Sequence, residues 1–413
     1  MSYRRLLGRS DARRYLAGQS LSLLGDSSMW LVCALWVKSL TGSSGAAGLT
    51  FFFFLAPSVV APLAGLVVDR LRRRTLLVAA NLLGALMLVP LFAVRGPADV
   101  WLVYLVMLLY GMANLLIAAG QSALLHQMLP TDLLADANGA LRTVQESLRV
   151  LAPLVGAGLF ALFGGRAVVV LDMATFAAAA AFTYSLRLRE PKPDPMRSHL
   201  VGELVEGLRF VVRSALLRRI TVATVVCTLV LGFTESTIWA VIGTGLHRPA
   251  TFVGVTQLAQ GCGAIVGGLV TAAVIRRLGE VRVVALGIAM FGAGQGLLAA
   301  PLLPVALGGL VVCGAGLPLL IIAVLTLLQR AAPGRLQGRV YTAFEVVTSG
   351  PQTASVAAGA WLVGVLDYRL VLGVTGLVCL VSALLMLRAR GAAATLAPVT
   401  EDRPVPATEA AQV

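Results

Sequence analysis

At 413 residues, with 58% hydrophobic and only 13% charged side chains and a mean hydropathy of +0.89, the chain is excluded from the soluble globular class, where about a quarter of residues are charged. Its net charge of +14 would suit a nucleic-acid partner, yet 27 of the 33 lysines and arginines fall on one side of the expected spans and no basic run alternates with aromatics, so the charge reads as membrane topology. Cys33, Cys227, Cys262, Cys313 and Cys379 stand singly inside apolar stretches, and His126, His199 and His247 lack partners at ligand spacing, which argues against a disulfide frame, a metal site or any other cofactor.

Hydropathy predicts twelve helices, each close to the ~20 residues that cross ~30 Å of hydrocarbon. They are expected near 16–38, 46–68, 76–94, 100–125, 140–163, 167–186, 220–243, 251–275, 282–303, 305–328, 340–364 and 370–388. The first is too long for a signal peptide and is expected to remain as a span. The expected fold class is thus an all-α membrane protein of two pseudo-symmetric six-helix bundles, 1–186 and 220–389, joined by a linker at 187–219 and followed by a disordered tail at 390–413. The basic excess places both termini in the cytoplasm and the chain in the cell membrane, plasma or inner.

In chain order, the first notable residue is Asp26, in "GDSSMW" near the middle of the first span. Helical spacing puts Gln19, Ser22, Asp26 and Trp30 on one face. "FFFF" at 51–54 covers every side of its turn, so part of it is expected to face lipid. Glu146 and Arg149, three apart on the fifth span, are expected to satisfy one another. Asp172, about five residues into the sixth, is expected to be shallow and has the weakest claim to a role.

The linker's "SHLVGELVEGLRFVVRSALLRR" places Leu200, Leu204, Leu208, Val211 and Ala215 on one side, predicting a helix that lies on the membrane surface or in solvent. Glu235, in "TESTIW", then repeats Asp26 at an offset of 209, with Thr228, Glu235 and Trp239 sharing a face. Glu345 falls near the start of the eleventh span. "DRLRRR" (69–74) recurs in position as "RRLGEV" (276–281), and "APLVGA" (152–157) as "GPQTAS" (350–355), so the halves read as a duplication around a central cavity. An ionised carboxylate at the bilayer centre costs roughly 2.5–3.5 kcal/mol on insertion scales, so Asp26 and Glu235 are expected to face that cavity and to exchange protons there. The alternative is that either only bonds a neighbouring helix.

"AGLVVDRLRRRTLL" resembles a signature of the major facilitator superfamily through Gly65, Asp69, Arg70, Arg73 and Arg74, with Arg72 where that family has glycine. In that family the motif is a cytoplasmic latch between the halves. The stretch 124–176, followed by "ELVEGLRFVVR", is similar to the drug-efflux and enterobactin-exporter-like branch. That branch's fifth-helix signature is represented here by Arg149, Pro153 and Gly156, with Ala152 and Ala157 at two of its other positions.

The resemblance implies a secondary transporter that exports small amphipathic molecules by alternating access, with protons as the exchanged ion and Asp26, Glu235 and Glu146 as coupling residues. It implies that helices 1, 4, 7 and 10 line the substrate cavity, for which Gln19, Trp30, Asn114, Gln121, Trp239, Gln257 and Gln260 are the candidate contacts, each tryptophan alternatively facing lipid or packing in the core. An importer, a lipid flippase or a non-transporting sensor of the same fold is the alternative. The expected partners are a small-molecule substrate, protons and the bilayer, with the chain acting as a monomer. The sequence has no nucleotide loop and no Ser, His and Asp set, so an enzyme is not expected.

Overall fold

The computed structural model describes residues 8–60, 71–129, 131–186, 200–332 and 336–388. Six long helices form the first half: α1 (Ser10–Thr41), α2 (Ser44–Leu55, continued by a 3₁₀ turn to Val60), α3 (Arg73–Met87), α4 (Val100–Met128), α5 (Thr131–Phe163) and α6 (Gly165–Tyr184). A separate helix, α7 (Leu200–Arg213), precedes six more: α8 (Ala215–Ala240), α9 (Val253–Leu278), α10 (Glu280–Leu298), α11 (Leu303–Ala331), α12 (Gln337–Val365) and α13 (Tyr368–Arg388). All twelve expected spans therefore have a helix. Gly65, Asp69 and Arg70 of the latch motif, the 187–199 stretch and the tail lie outside the described residues.

Local chemistry sets the helix ends. Gly42 ends α1 in the left-handed region, φ 68°, where glycine carries no Cβ penalty. The next residue, Ser43, caps α2 by accepting from the Ala46 amide at 3.2 Å, and Ser214 starts α8 in the same way. Pro153, Pro318 and Pro351 lie within helices, and a single π turn at Val241–Gly245 follows α8.

Within the first half α1 packs on α5 and α6, and α3 packs on α4 and α6; in the second, α10 packs on α11 and α13, α11 on α9, and α8 on α12. The duplication is visible in side-chain detail. Ser28 Oγ on α1 donates to the Ala152 carbonyl on α5 at 3.0 Å, and Ser236 Oγ on α8 donates to the Val356 carbonyl on α12 at 3.0 Å. These two serines are one residue off the register that relates Asp26 to Glu235.

The outside of the bundle is oily. Leu86, Leu162, Leu269 and Leu385 are 61–79% exposed, which water would penalise and a hydrocarbon surround accepts. Nine helices among the described residues are long and apolar enough to cross a membrane. The remaining spans are α2 and α5, whose apolar parts are shorter, and α12, which carries Glu345, Thr348, Ser349, Gln352 and Thr353.

The halves meet closely at the end that carries Gly42. There Leu31, Leu35, Phe51, Trp239, Ile242, Val253 and Val356 form one buried apolar cluster drawn from α1, α2, α8, the π turn, α9 and α12. Gly48 on α2 sits so close to Ser236 on α8 that a Cβ would collide with its side chain, and Gly45 is equally tight against the Ala360 carbonyl of α12. Of the "FFFF" run only Phe51 is fully enclosed, while Phe52, Phe53 and Phe54 keep partial exposure, in line with part of the run facing outward. Phe51 is 1% exposed between Trp30 and Trp239, Phe53 stacks on Tyr104, and Phe54 lies beside Tyr110.

The surface helix α7 is docked rather than free: its Gly207 approaches the Arg339 carbonyl of α12, and Glu206 pairs with the Arg339 guanidinium. Both charged partners are about 40% exposed, at 37% and 41%, so the pair contributes no more than about 1 kcal/mol. Glu206→Gln is accordingly expected to leave the thermal unfolding midpoint within about 2 °C of wild type. A larger drop would mean that the ion pair, rather than backbone packing, holds the helix.

Candidate functional site

In the first half, the polar centre is built on three helices. Asp26 on α1 is partly exposed; its Oδ1 lies 2.5 Å from the Tyr110 hydroxyl of α4, and its Oδ2 accepts from Ser22 Oγ at 3.3 Å. The same Tyr110 oxygen lies 3.0 Å from Asp172 Oδ2 on α6, and Asp172 Oδ1 accepts from Thr175 Oγ1 at 3.2 Å. Asp172 is 0% exposed, so it is neither shallow nor peripheral as the sequence suggested. Span position alone misplaced it: α6 lies against α1, and a Cβ on Gly25 would overlap both Thr175 and the Asp172 carboxyl, so the missing side chain lets the two helices close around the pair.

Two turns back along α1, Gln19 and Gln121 are hydrogen-bonded to each other across α1 and α4 at 2.7 Å, while Asn114 on α4 is exposed. Trp30 and Trp239 flank Phe51 at centroid distances of 4.5 and 6.5 Å. Trp239 is thus 1% exposed and part of the plug between the halves, not an open wall, and its indole N–H has no hydrogen-bond partner.

In the second half Glu235, partly exposed on α8, lines a small cavity of about 30 Å³ with Thr234, Gln257 and Gln260 of α9, Gln295 of α10 and Cys313 of α11. That volume holds one or two waters or a small polar head group. Gln295 is the residue the sequence reading missed. It is 0% exposed, its amide nitrogen faces Cys313 Sγ at 3.6 Å, and its Oε1 has no donor, although such an orphan costs about 1–3 kcal/mol. An amide in an otherwise apolar span was the available signal.

Arg149 does not answer only to Glu146, whose side chain lies outside the described residues; its charge acts on Glu235 from α5, across the boundary between the halves. Near it, Gly156 leaves room for the Ser28 backbone and Val32, and the neighbouring Ala157 meets Gly254 of α9. Pro153 lies within the same helix, one residue past the carbonyl that Ser28 holds. Of the latch motif, Arg74 is the best defined: it donates to the Tyr184 carbonyl and stacks 5.0 Å over the Tyr184 ring, tying α3 to the end of α6. Glu345 accepts from Tyr341 at 3.0 Å at an exposed position. Among the described residues no three His, Cys, Asp or Glu side chains are grouped as metal ligands.

Comparison with known proteins fits this architecture. An uncharacterised MFS-type transporter of Bacillus subtilis, YfiS, is 24% identical over 366 residues, which is 84% of this chain and 85% of that protein. Macrolide efflux protein A of Streptococcus pyogenes is 24% identical over 201 residues, 46% of this chain and 49% of its own length. A bacterial homologue of the iron transporter ferroportin, in its inward-facing state, superposes with a TM-score of 0.70 at 15% identity, covering 91% of this chain and 97% of that one, a likeness of fold. The Major Facilitator Superfamily model matches at residues 15–240 and 220–412, and with twelve helices in two repeated halves and oily outer faces the chain belongs to that superfamily of multi-pass membrane transporters.

Proposed function

We propose that the protein is a secondary transporter of the cell membrane that exports small amphipathic, donor-bearing molecules, cationic ones above all, by alternating access in exchange for protons. The observation that supports this reading is the pair of carboxylates at matching positions of the two repeats: Asp26 and Glu235 both keep partial exposure inside apolar helices, and Glu235 lines a small polar cavity. Glu235 shares its cavity with Gln295 Oε1, which lacks a donor, so a protonated amine entering there would satisfy two groups at once.

In this reading the aromatic plug of Trp30, Phe51 and Trp239 closes the Gly42 end, which topology makes the outer one, and Gln19, Asn114, Gln121, Gln257 and Gln260 offer polar anchors as the halves rock. Arg149 opposes Glu235 when no cation is bound and is released when a proton or ammonium neutralises that carboxylate. The latch residues Gly65, Asp69, Arg70, Arg73 and Arg74 hold the opposite, cytoplasmic end during the other half of the cycle. A monomer contains all of these parts, with both termini in the cytoplasm. The similarity to a macrolide efflux protein over half the chain supports export as the direction.

The test is accumulation of a panel of dyes and antibiotics, ethidium and a macrolide among them, in cells with and without the protein. Expression should lower accumulation of cationic amphiphiles, and a proton uncoupler should restore it. Equal accumulation with and without the protein across the panel, or efflux indifferent to the uncoupler, contradicts the reading.

A further inference from the structure

We infer that Asp26, Tyr110 and Asp172 together hold one shared carboxyl proton, with Asp172 as the buried store and Asp26 as the partly exposed member. This deepens the proton-coupled reading above and rests on it for its role in transport, but the proton itself is argued from hydrogen counting.

Tyr110 carries a single hydroxyl hydrogen. Its oxygen stands within hydrogen-bond reach of two carboxyl groups, 2.5 Å from Asp26 Oδ1 and 3.0 Å from Asp172 Oδ2. If both carboxyls were ionised, that one hydrogen could fill only one contact, and the other would press two lone-pair-bearing oxygens together in a buried place. Adding one hydrogen to a carboxyl removes the conflict: the acid donates to Tyr110, and Tyr110 donates to the remaining carboxylate. The shorter contact, at 2.5 Å, has the length of an O–H donor on a charged acceptor, and the longer one does not. The hydrogen therefore belongs on Asp172, and the charge on Asp26.

The surroundings fit a store and an outlet. Asp172 is 0% exposed, and its second oxygen is taken by Thr175 at 3.2 Å, so Tyr110 is its way out. Asp26 is partly exposed, and its second oxygen is held by Ser22 at 3.3 Å. Tyr110 is fixed by Phe54 of α2 and Phe176 of α6 at ring distances of 6.0 and 5.7 Å.

Around the trio, α1 adds the Ser22 hydroxyl and the buried, neutral Cys33 thiol; α2 and α4 contribute Phe54 and Tyr110 itself, and α3 contributes Gly84 against Phe176. On α5, Arg149 acts on Glu235. Among the described residues no cation is recorded on either carboxyl that could neutralise the pair in place of a proton.

Transfer is a balanced two-proton shift. Asp172 gives its hydrogen to the Tyr110 oxygen as Tyr110 gives its own to Asp26, so tyrosine ends unchanged, Asp172 becomes the carboxylate and Asp26 the acid, ready to release from its exposed side. Tyr110 and Asp172 are thus positioning and storage groups for Asp26.

Infrared spectroscopy of the purified full-length protein in lipid vesicles tests this directly. Above neutral pH the wild type should show the carbonyl stretch of a protonated carboxylic acid. That band should lose one carboxyl's worth of intensity in Asp172→Asn, whose amide can donate to Tyr110 in the acid's stead. In Tyr110→Phe, which keeps the ring in its aromatic setting and removes only the hydroxyl, the band should move in frequency. The pH profile of uncoupler-sensitive ethidium efflux should shift in both variants. An unchanged band in both variants, or no such band in the wild type, overturns the inference. Uncoupler-insensitive ethidium efflux by the wild type would instead overturn the coupled-export reading and leave the band assignment standing.

Discussion

Asp26→Asn is expected to cut proton-driven efflux of a cationic dye by about tenfold or more, the equivalent of ~1.4 kcal/mol or above in the barrier, and Glu235→Gln to do the same. The amide is nearly isosteric with the carboxyl, so its single oxygen can still accept from Tyr110 or Ser22, though not from both at their present atoms, and the helix packing around Gly25 is undisturbed. What is lost is the charge and the ability to take up and release a proton. Membrane vesicles with matched expression and an imposed pH gradient provide the measurement. If both variants drive efflux at wild-type rates, the matching carboxylates have no part in coupling.

Gly48→Leu is expected to have a comparable effect by a different route. Position 48 faces Ser236 across the boundary between the halves with no room for a Cβ, and any larger side chain must push α2 away from α8. Overpacking of this kind costs typically 1–3 kcal/mol, and here the cost falls only on the conformation in which the Gly42 end is closed. A bias of ~2.8 kcal/mol shifts a two-state equilibrium about a hundredfold, enough to hold the halves apart at that end. Transport should fall about tenfold or more while expression persists.

In a Cys262→Ser background, which removes the exposed native thiol, a cysteine placed by Ile242→Cys should go from protected to readily alkylated. Full transport with an unchanged labelling rate would show that the plug at this end does not move.

The fold was legible because its causes are local and repetitive. Apolar runs near twenty residues, Gly42 and Ser43 at one turn and the basic excess on one side each follow from elementary hydration and backbone chemistry, and every expected span contains a helix. The repeat was legible through Asp26 and Glu235 because a carboxylate in an oily span is rare enough to stand out.

What was not legible depends on which helix lies against which. Asp172 was read by its depth within one span, but its surroundings are set by the approach of α6 to α1 at Gly25 and by Tyr110 arriving from α4. Arg149 was assigned to Glu146 because they are neighbours in sequence, whereas its charge also acts on Glu235 in the other half. Which member of the phenylalanine run would be enclosed was not legible either: α2 packs on α1, α4, α8 and α12, and this buries Phe51 between two tryptophans while Phe52, Phe53 and Phe54 stay partly exposed. Gln295 is a lone amide whose meaning appears only when Glu235, Gln257 and Gln260 are seen around the same cavity.

Export of a cation and movement of a proton are, in this reading, one event governed by two partly exposed carboxylates in twin bundles. Proteoliposomes loaded with a pH-sensitive dye, given an outward or inward gradient of ethidium and no other driving force, measure it most directly. The account predicts a change of internal pH opposite in direction to the ethidium flux, abolished by Asp26→Asn and by Glu235→Gln. Ethidium flux with no accompanying proton movement, or proton movement unaltered in both variants, would contradict it.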